Sequence, residues 1–306
     1  GFLQGARRYV PIAKPTRLNQ LLRDRDPVQP EAFEYLTDEL GRVAADYILK
    51  NREHPFFMYL AFNATHDPTD ALESDLAKLE DSDPVRKKHR AMTVALDRAV
   101  GVVLDELKRQ SLTENTLVVF INDNGGAATH DNTPLRGQKG STWEGGIRVP
   151  LIIRGPGIAP NSWCHQRVVG YDFFPTFCRW AGVKAALPTQ LEGGDITHLL
   201  SGSSEPVKCP REPLVFHFPH YQGDSPHSAI LSGHMKLLHF YETGENHLFD
   251  LQADIGETKN LAEANPQKTQ ELYTRLVAWR KDVNAPMPTK NDGAPAPDKK
   301  KKNKAK

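Results

Sequence analysis

Cysteine is scarce in this sequence. Its three cysteines, Cys164, Cys178 and Cys209, cannot all pair with one another, and none sits in a CxxC or Cys/His zinc spacing. That excludes a disulfide-framed scaffold and a zinc ribbon, while one disulfide with a free thiol, or three reduced thiols, both remain open. Long apolar runs are missing too. No stretch approaches the roughly 18 residues of a membrane span, and the longest, residues 56–62 and 117–121, have the length of strands. Net charge is almost absent, since 39 Lys and Arg face 38 Asp and Glu for a total of +1. Six Lys and one Asp fall in residues 293–306, so the preceding 292 residues carry −4. A mildly acidic body argues against nucleic acid as its main partner. Position 1 is glycine rather than methionine, no basic-then-apolar signal segment follows it, and no internal repeat is present.

What is there is an ordinary globular composition: 306 residues, 39% hydrophobic and 25% charged, enough to bury a sizeable core. Residues 1–29 have no clear period. Pro30 is placed to open a helix, and Phe33, Leu36, Leu40, Val43, Tyr47 and Ile48 then recur at helical spacing to about residue 50. Residues 56–62, apolar and aromatic, predict a buried strand. Pro84 opens a second long helix with Met92, Leu96, Ala99, Val103 and Leu107 on one face. Residues 116–121 are mostly β-branched or aromatic and predict a buried strand. A Gly-rich loop over 122–148, a strand over 149–154 and a short helix over 171–181 follow. Strand, helix and strand runs of this size predict an α/β fold with a largely parallel central sheet and flanking helices. Short alternating segments at 228–232, 235–241 and 247–251 predict a small C-terminal antiparallel sheet. Pro266 opens a last helix carrying Leu272, Leu276 and Trp279. These boundaries divide the chain into a main α/β domain (1–205), a small α+β subdomain (206–284) and a disordered basic tail (285–306).

In open α/β sheets, ligands bind beyond the carboxyl ends of the strands, and two loops with suitable side chains leave such ends. Asp123 and Asn124 offer hard oxygens suited to Ca²⁺ or Mg²⁺, although Asp-Gly and Asn-Gly are also ordinary turn residues. His66 has the chemistry of a proton donor near neutral pH, or of a loop histidine bonded to its own backbone. Lys139, between Gln138 and Gly140, suits an anion, or simply solvent. His217 and His220 flank Pro219, which spoils a helical metal pair and leaves a structural or substrate-facing role. Lys236, in the strand 235–238, reads as an outward-facing residue.

Taken in order, several segments resemble the formylglycine-dependent sulfatases of the alkaline phosphatase superfamily. They are residues 56–60 with Thr65-His66-Asp67-Pro68, Asn122-Asp123-Asn124-Gly125-Gly126, Pro134-Leu135-Arg136-Gly137-Gln138-Lys139-Gly140, and Trp143-Glu144-Gly145-Gly146-Ile147-Arg148-Val149-Pro150. Tyr171-Asp172-Phe173-Phe174-Pro175-Thr176 and Leu248-Phe249-Asp250-Leu251 with Asp254, Glu257-Thr258 and Asn260-Leu261 continue the match, which covers about residues 30–280. The resemblance implies a hydrolase of sulfate monoesters, with Asp123 and Asn124 as ligands of Ca²⁺ (or Mg²⁺), His66 as the acid for the leaving oxygen and Lys139 as a sulfate-binding cation. It implies a sulfated carbohydrate as substrate, with His217 and His220 near the sugar, and an extracytoplasmic location, periplasmic or secreted. Oligomeric state is left open.

One departure matters. The family nucleophile, a cysteine or serine converted to formylglycine, lies in a Cys/Ser-x-Pro-Ser/Ala-Arg motif, and none of Cys164, Cys178 and Cys209 is followed by that pattern. The N-terminal aspartate pair of the metal site and the Gly-Lys-x-His segment are also unmatched. The expectation is therefore a chain lacking its N-terminal part, including the formylglycine, and inactive alone. The competing readings are a phosphate monoester or diester hydrolase of the same superfamily and a non-catalytic module for sulfated glycans.

Overall fold

The computed structural model describes residues 9–10, 21–29, 32–127, 129–208 and 213–289. Pro30, Cys209 and the tail from residue 290 lie outside them. The chain divides into two compact units. The first comprises residues 1–120, 151–167 and 196–206, and the second 121–150, 168–195 and 207–306.

The first unit is built on two helices. Helix α1 (Leu36–Asn51) buries Leu36, Thr37, Gly41, Ala44, Ala45 and Ile48. Its partner α3 (Pro84–Arg109) begins as the sequence predicts. The Asp83 carboxylate accepts the backbone N–H of Val85 at 2.9 Å and of Arg86 at 3.3 Å, and Pro84 occupies the first turn. The face of α1 differs from its expected position: Val43 and Tyr47 are exposed. The reason is the closeness of the two helices. A Cβ on Gly41 would lie 2.9 Å from the Ala99 carbonyl oxygen, so small residues line the contact and the larger apolar side chains turn outward. The one-turn helix α2 (Glu73–Leu76) is locked to both by Arg98, whose guanidinium bonds Asp38 and Asp75 at 2.8–3.0 Å. That pairing holds the Asp75 carboxyl below its usual range. A two-residue ribbon, β1 (Leu22–Arg23) with β2 (Asp26–Pro27), also belongs here.

Of the expected central sheet, β3 (Val118–Ile121) pairs with β4 (Leu151–Arg154). Residues 56–62 join no sheet among the described residues, contrary to the strand expected there. They keep a strand's period, with Phe57, Tyr59 and Ala61 exposed and Phe56, Met58, Leu60 and Phe62 half-buried. The side-chain pattern is present, but among the described residues no strand pairs with it in a ladder. The short helix α6 (Thr197–Leu200) completes the unit, and the thiol of Cys164 is free.

The second unit holds the antiparallel sheet that the sequence predicts, with one strand more. Strands β5 (Leu214–Phe218), β6 (His227–Ser232), β7 (Met235–Phe240) and β8 (Asn246–Asp250) pair in that order, each antiparallel to the next. Both faces are covered. Helix α7 (Pro266–Asp282) packs Leu272 and Leu276 against Ile230, Leu237 and Leu248, and each of these buried leucines contributes about 1.5–3 kcal/mol. On the other face, Trp143 packs with Ala229, Leu231, Leu238, Phe240 and Phe249. Trp143 precedes the one-turn helix α4 (Glu144–Ile147) within the Gly-rich loop. The expected helix at 171–181 is a 3₁₀ turn (Gly170–Asp172) leading into α5 (Phe173–Trp180), which carries the free Cys178. Among the described residues no helix is long and apolar enough to cross a membrane.

Lys236 is the clearest correction. An alternating strand with one wet face would expose it, yet it is fully buried. It shares a face with Leu238 and Phe240, and the Trp143 loop covers that face.

Candidate functional site

The loop after residue 62 is shaped by two buried tyrosines. The Tyr9 hydroxyl donates to the carbonyl oxygens of Asn63 and of His66, the latter at 2.9 Å. Tyr9 stacks on Tyr35 at 5.8 Å, and the Tyr35 hydroxyl donates to the Asp70 carbonyl at 2.8 Å. Burial pushes the Tyr35 phenol up to about 12 and the Tyr9 phenol further still, so both remain protonated donors. A turn bond from the His66 N–H to the Asn63 carbonyl (2.9 Å) closes the loop. The His66 imidazole is exposed, and its Nδ1 lies 2.8 Å from the Asp67 carbonyl oxygen. A carbonyl can only accept, so Nδ1 carries the hydrogen and Nε2 is the nitrogen left to gain or lose a proton. His66 thus sits in the first unit, on a loop braced from below. Tyr9 lies in a stretch whose sequence shows no period, and nothing local marked it.

The other candidates lie in the second unit, in two interlaced segments. The Asp123–Asn124 turn and the Lys139 loop share backbone bonds: Lys139 donates its N–H to the Gly126 carbonyl at 2.9 Å, and Gly125 donates to the Gly146 carbonyl at 3.0 Å. Asn132 ties the same strands of loop together, accepting from Gly126 and donating to the carbonyls of Gly126 and Gly137. A Cβ at Gly125 would collide with the Gly145 carbonyl, which explains the glycine. The structure therefore brings Asp123, Asn124 and Lys139 onto one knot of backbone. Asp123 is exposed, Asn124 and Lys139 are half-buried, and no carboxylate pairs with Lys139 among the described residues.

Segments from the C-terminal sheet hold this knot. Gly223 donates its N–H to the Gly140 carbonyl at 3.0 Å, so the turn after β5, which begins at the exposed His220, lies against the Lys139 loop. His227 Nε2 accepts the Thr142 N–H at 2.9 Å while Nδ1 donates to the Ser225 carbonyl at 2.5 Å, which makes the ring neutral; burial lowers its pKa accordingly. The Trp143 indole donates to Asp224 at 2.8 Å, and the Arg136 guanidinium lies 3.9 Å above the same indole. His217 has both nitrogens engaged: Nδ1 with the hydroxyls of Ser228 (2.7 Å) and Tyr241 (3.1 Å), Nε2 with the Pro286 carbonyl (2.7 Å).

As a metal site, Asp123 and Asn124 supply oxygens of the hard type that Ca²⁺ takes, two of about six to eight. Among the described residues no cluster of three or more His, Cys, Asp or Glu is arranged to hold a metal. The donor chemistry fits part of a calcium shell.

Comparison with known proteins places the chain in a family. The sulfatase family model matches residues 12–183, and the model for the C-terminal part of N-sulphoglucosamine sulphohydrolase matches residues 138–282. The chain is 37% identical to a sulfatase of Formosa agariphila over 82% of its length and 51% of the relative's. It is 32% identical to human arylsulfatase A over 73% of this chain and 48% of that one. The crystal structure of Ps i-CgsB superposes with a TM-score of 0.78 at 31% identity, covering 87% of this chain and 58% of the other. The chain thus spans about half the length of the relatives it matches. A family model across more than half the residues, relatives above 30% identity and a shared fold agree, and the chain belongs to the sulfatase family.

Proposed function

We propose that this chain forms the leaving-group and anion-binding part of a sulfuric ester hydrolase acting on sulfate monoesters of a carbohydrate. The observation that carries the reading is the backbone bond from Lys139 to Gly126, which ties a half-buried lysine, with no carboxylate counter-ion among the described residues, to the Asp123–Asn124 turn. A sulfate ester is an anion with a poor alkoxide leaving group. Lys139 would bind its sulfuryl oxygens and stabilise the charge that grows in the transition state. His66, with Nδ1 fixed by the Asp67 carbonyl, would deliver a proton from Nε2 to the departing oxygen, an effect of about 10²–10⁴-fold. Asp123 and Asn124 would hold Ca²⁺, or Mg²⁺, which when bound polarises sulfuryl oxygens as a Lewis acid.

The carbohydrate part is supported by a similar protein: Ps i-CgsB, 30% identical in that crystal form, was solved in complex with k-i-k-neocarrahexaose. Here the exposed His220, on the turn bonded to Gly140, would meet the sugar, with His217 anchoring its strand. The nucleophile of this chemistry is a formylglycine. No Cys/Ser-x-Pro-Ser/Ala-Arg motif occurs in the 306 residues, so these residues alone would bind sulfate esters without turning them over. In the same reading β3, β4 and residues 56–62 belong to a largely parallel central sheet, and the enzyme works outside the cytoplasm, where Ca²⁺ is abundant.

The test is binding of p-nitrophenyl sulfate, followed by calorimetry with and without Ca²⁺. Binding clearly weakened in Lys139→Ala supports the reading. Binding that is equal in wild type and Lys139→Ala, or preference for p-nitrophenyl phosphate, refutes it.

A further inference from the structure

Lys236 Nζ lies 2.9 Å from Glu144 Oε1 and 2.8 Å from Glu257 Oε1. All three side chains are buried, Lys236 and Glu257 completely. The second oxygen of Glu257 accepts the backbone N–H of Glu144 at 2.7 Å, and its carbonyl oxygen accepts the Arg136 guanidinium at 3.0 Å. Arg148 stands 3.5 Å from the other Glu144 oxygen. Two carboxylates and an ammonium in the interior of a sheet domain carry a desolvation penalty that tight pairing only offsets. Apolar side chains in place of the whole cluster would pack among Leu238, Phe240 and Trp143 without that penalty, so stability alone does not explain the cluster.

Its geometry does. Arg136 and Glu144 are the two ends of the loop that carries Lys139, and Glu257 grips both. The Gly145 N–H closes the loop onto the Arg136 carbonyl at 2.7 Å. Between the ends, Lys139 is bonded to Gly126 beside the Asp123–Asn124 turn. We infer that Lys236 and Glu257 are positioning residues for Lys139: through Glu144 and Arg136 they set the path of residues 136–144 and thereby place the sulfate-binding ammonium. This rests on the reading of Lys139 given above. Charge is what the task needs, because ion pairs fix direction and separation where apolar packing tolerates sliding.

The experiment uses the whole 306-residue chain with Lys236→Met, Lys139→Ala and the double substitution. Two quantities are read: affinity for p-nitrophenyl sulfate, and backbone amide exchange and NMR shifts across residues 136–146, with β5 to β8 as internal reference. Lys236→Met is expected to raise exchange in the loop about tenfold while the sheet is unchanged, and to shift the amide signals of Lys139 and Gly140. It is expected to weaken binding about fivefold, with no further loss when Lys139 is already alanine, the signature of coupling between two residues. Unchanged loop amides in Lys236→Met overturn the proposal, as do binding losses that simply multiply in the double variant. Where Lys139→Ala leaves binding intact, the functional reading fails, while the loop amides still decide whether Lys236 positions the loop. Should Lys236→Met unfold because two carboxylates are left unpaired, Lys236→Met with Glu257→Gln removes one charge of each sign and is judged on the same amides.

Discussion

His227 accepts the backbone N–H of Thr142 at 2.9 Å, and it does so as a neutral imidazole. The bond joins the first residue of β6 to the loop that carries Lys139, across 85 residues of sequence. Protonation at Nε2 would put a donor where an acceptor is required. Burial and the Lys236 ammonium lower the His227 pKa from 6.5, against the opposing pull of the Ser225 carbonyl and Asp224.

The consequence is acid sensitivity. Between the lowered folded value and 6.5 the unfolded chain holds more protons than the folded one, so stability falls as pH falls through that window. Above pH 6.5 this contribution is fully present. His239, also lowered by burial, acts in the same direction. Thermal unfolding followed from pH 8 to pH 5 should show a falling midpoint, and His227→Gln should flatten the dependence in part. A midpoint independent of pH in wild type would contradict the assignment of a neutral ring.

Tyr9→Phe removes the donor to two carbonyl oxygens of the His66 loop. The Asn63 carbonyl keeps the His66 N–H, while the His66 carbonyl loses this donor, at a cost of about 1–3 kcal/mol. Urea unfolding should show a loss in that range, and proteolysis should increase around residues 63–70. The phenyl ring keeps the stacking on Tyr35, so a loss well below that range would mean that the hydroxyl is not what holds the loop.

Calcium should stabilise the chain through Asp123. Added Ca²⁺ binding only the folded state raises stability by about 2.7 kcal/mol at 100 times its dissociation constant. The thermal shift should be present in wild type and reduced in Asp123→Asn, which keeps the size of the side chain and removes its charge. Equal shifts in both proteins would assign the ion elsewhere.

The purified chain should not turn over p-nitrophenyl sulfate, because no residue in it lies in the formylglycine motif. Release of p-nitrophenol above the rate without protein would mean that another nucleophile serves.

Much of the fold was legible from local pattern. The proline at the start of α3, the apolar stripe of α7 and the alternation in β6 to β8 each depend on neighbours a few residues away. The strand β5 leaves a weaker local signal, because Leu214, Val215 and Phe216 are consecutive apolar residues that do not alternate. The outward placement of Val43 and Tyr47 on α1 is not legible locally, since only the approach of Ala99 to Gly41 shows which side can accommodate a close neighbour.

By itself, the order of residues determined the family-type loops, the polar heads they carry and the absence of the nucleophile motif, because motifs and periods are short-range properties. Only the tertiary structure decided that Lys236 is buried between Glu144 and Glu257, that Tyr9 holds the His66 loop, and that His227 must stay neutral. Those outcomes depend on which distant segment covers a charged or polar group and removes its water, and the energy of a charge is set by that cover rather than by its neighbours in the chain.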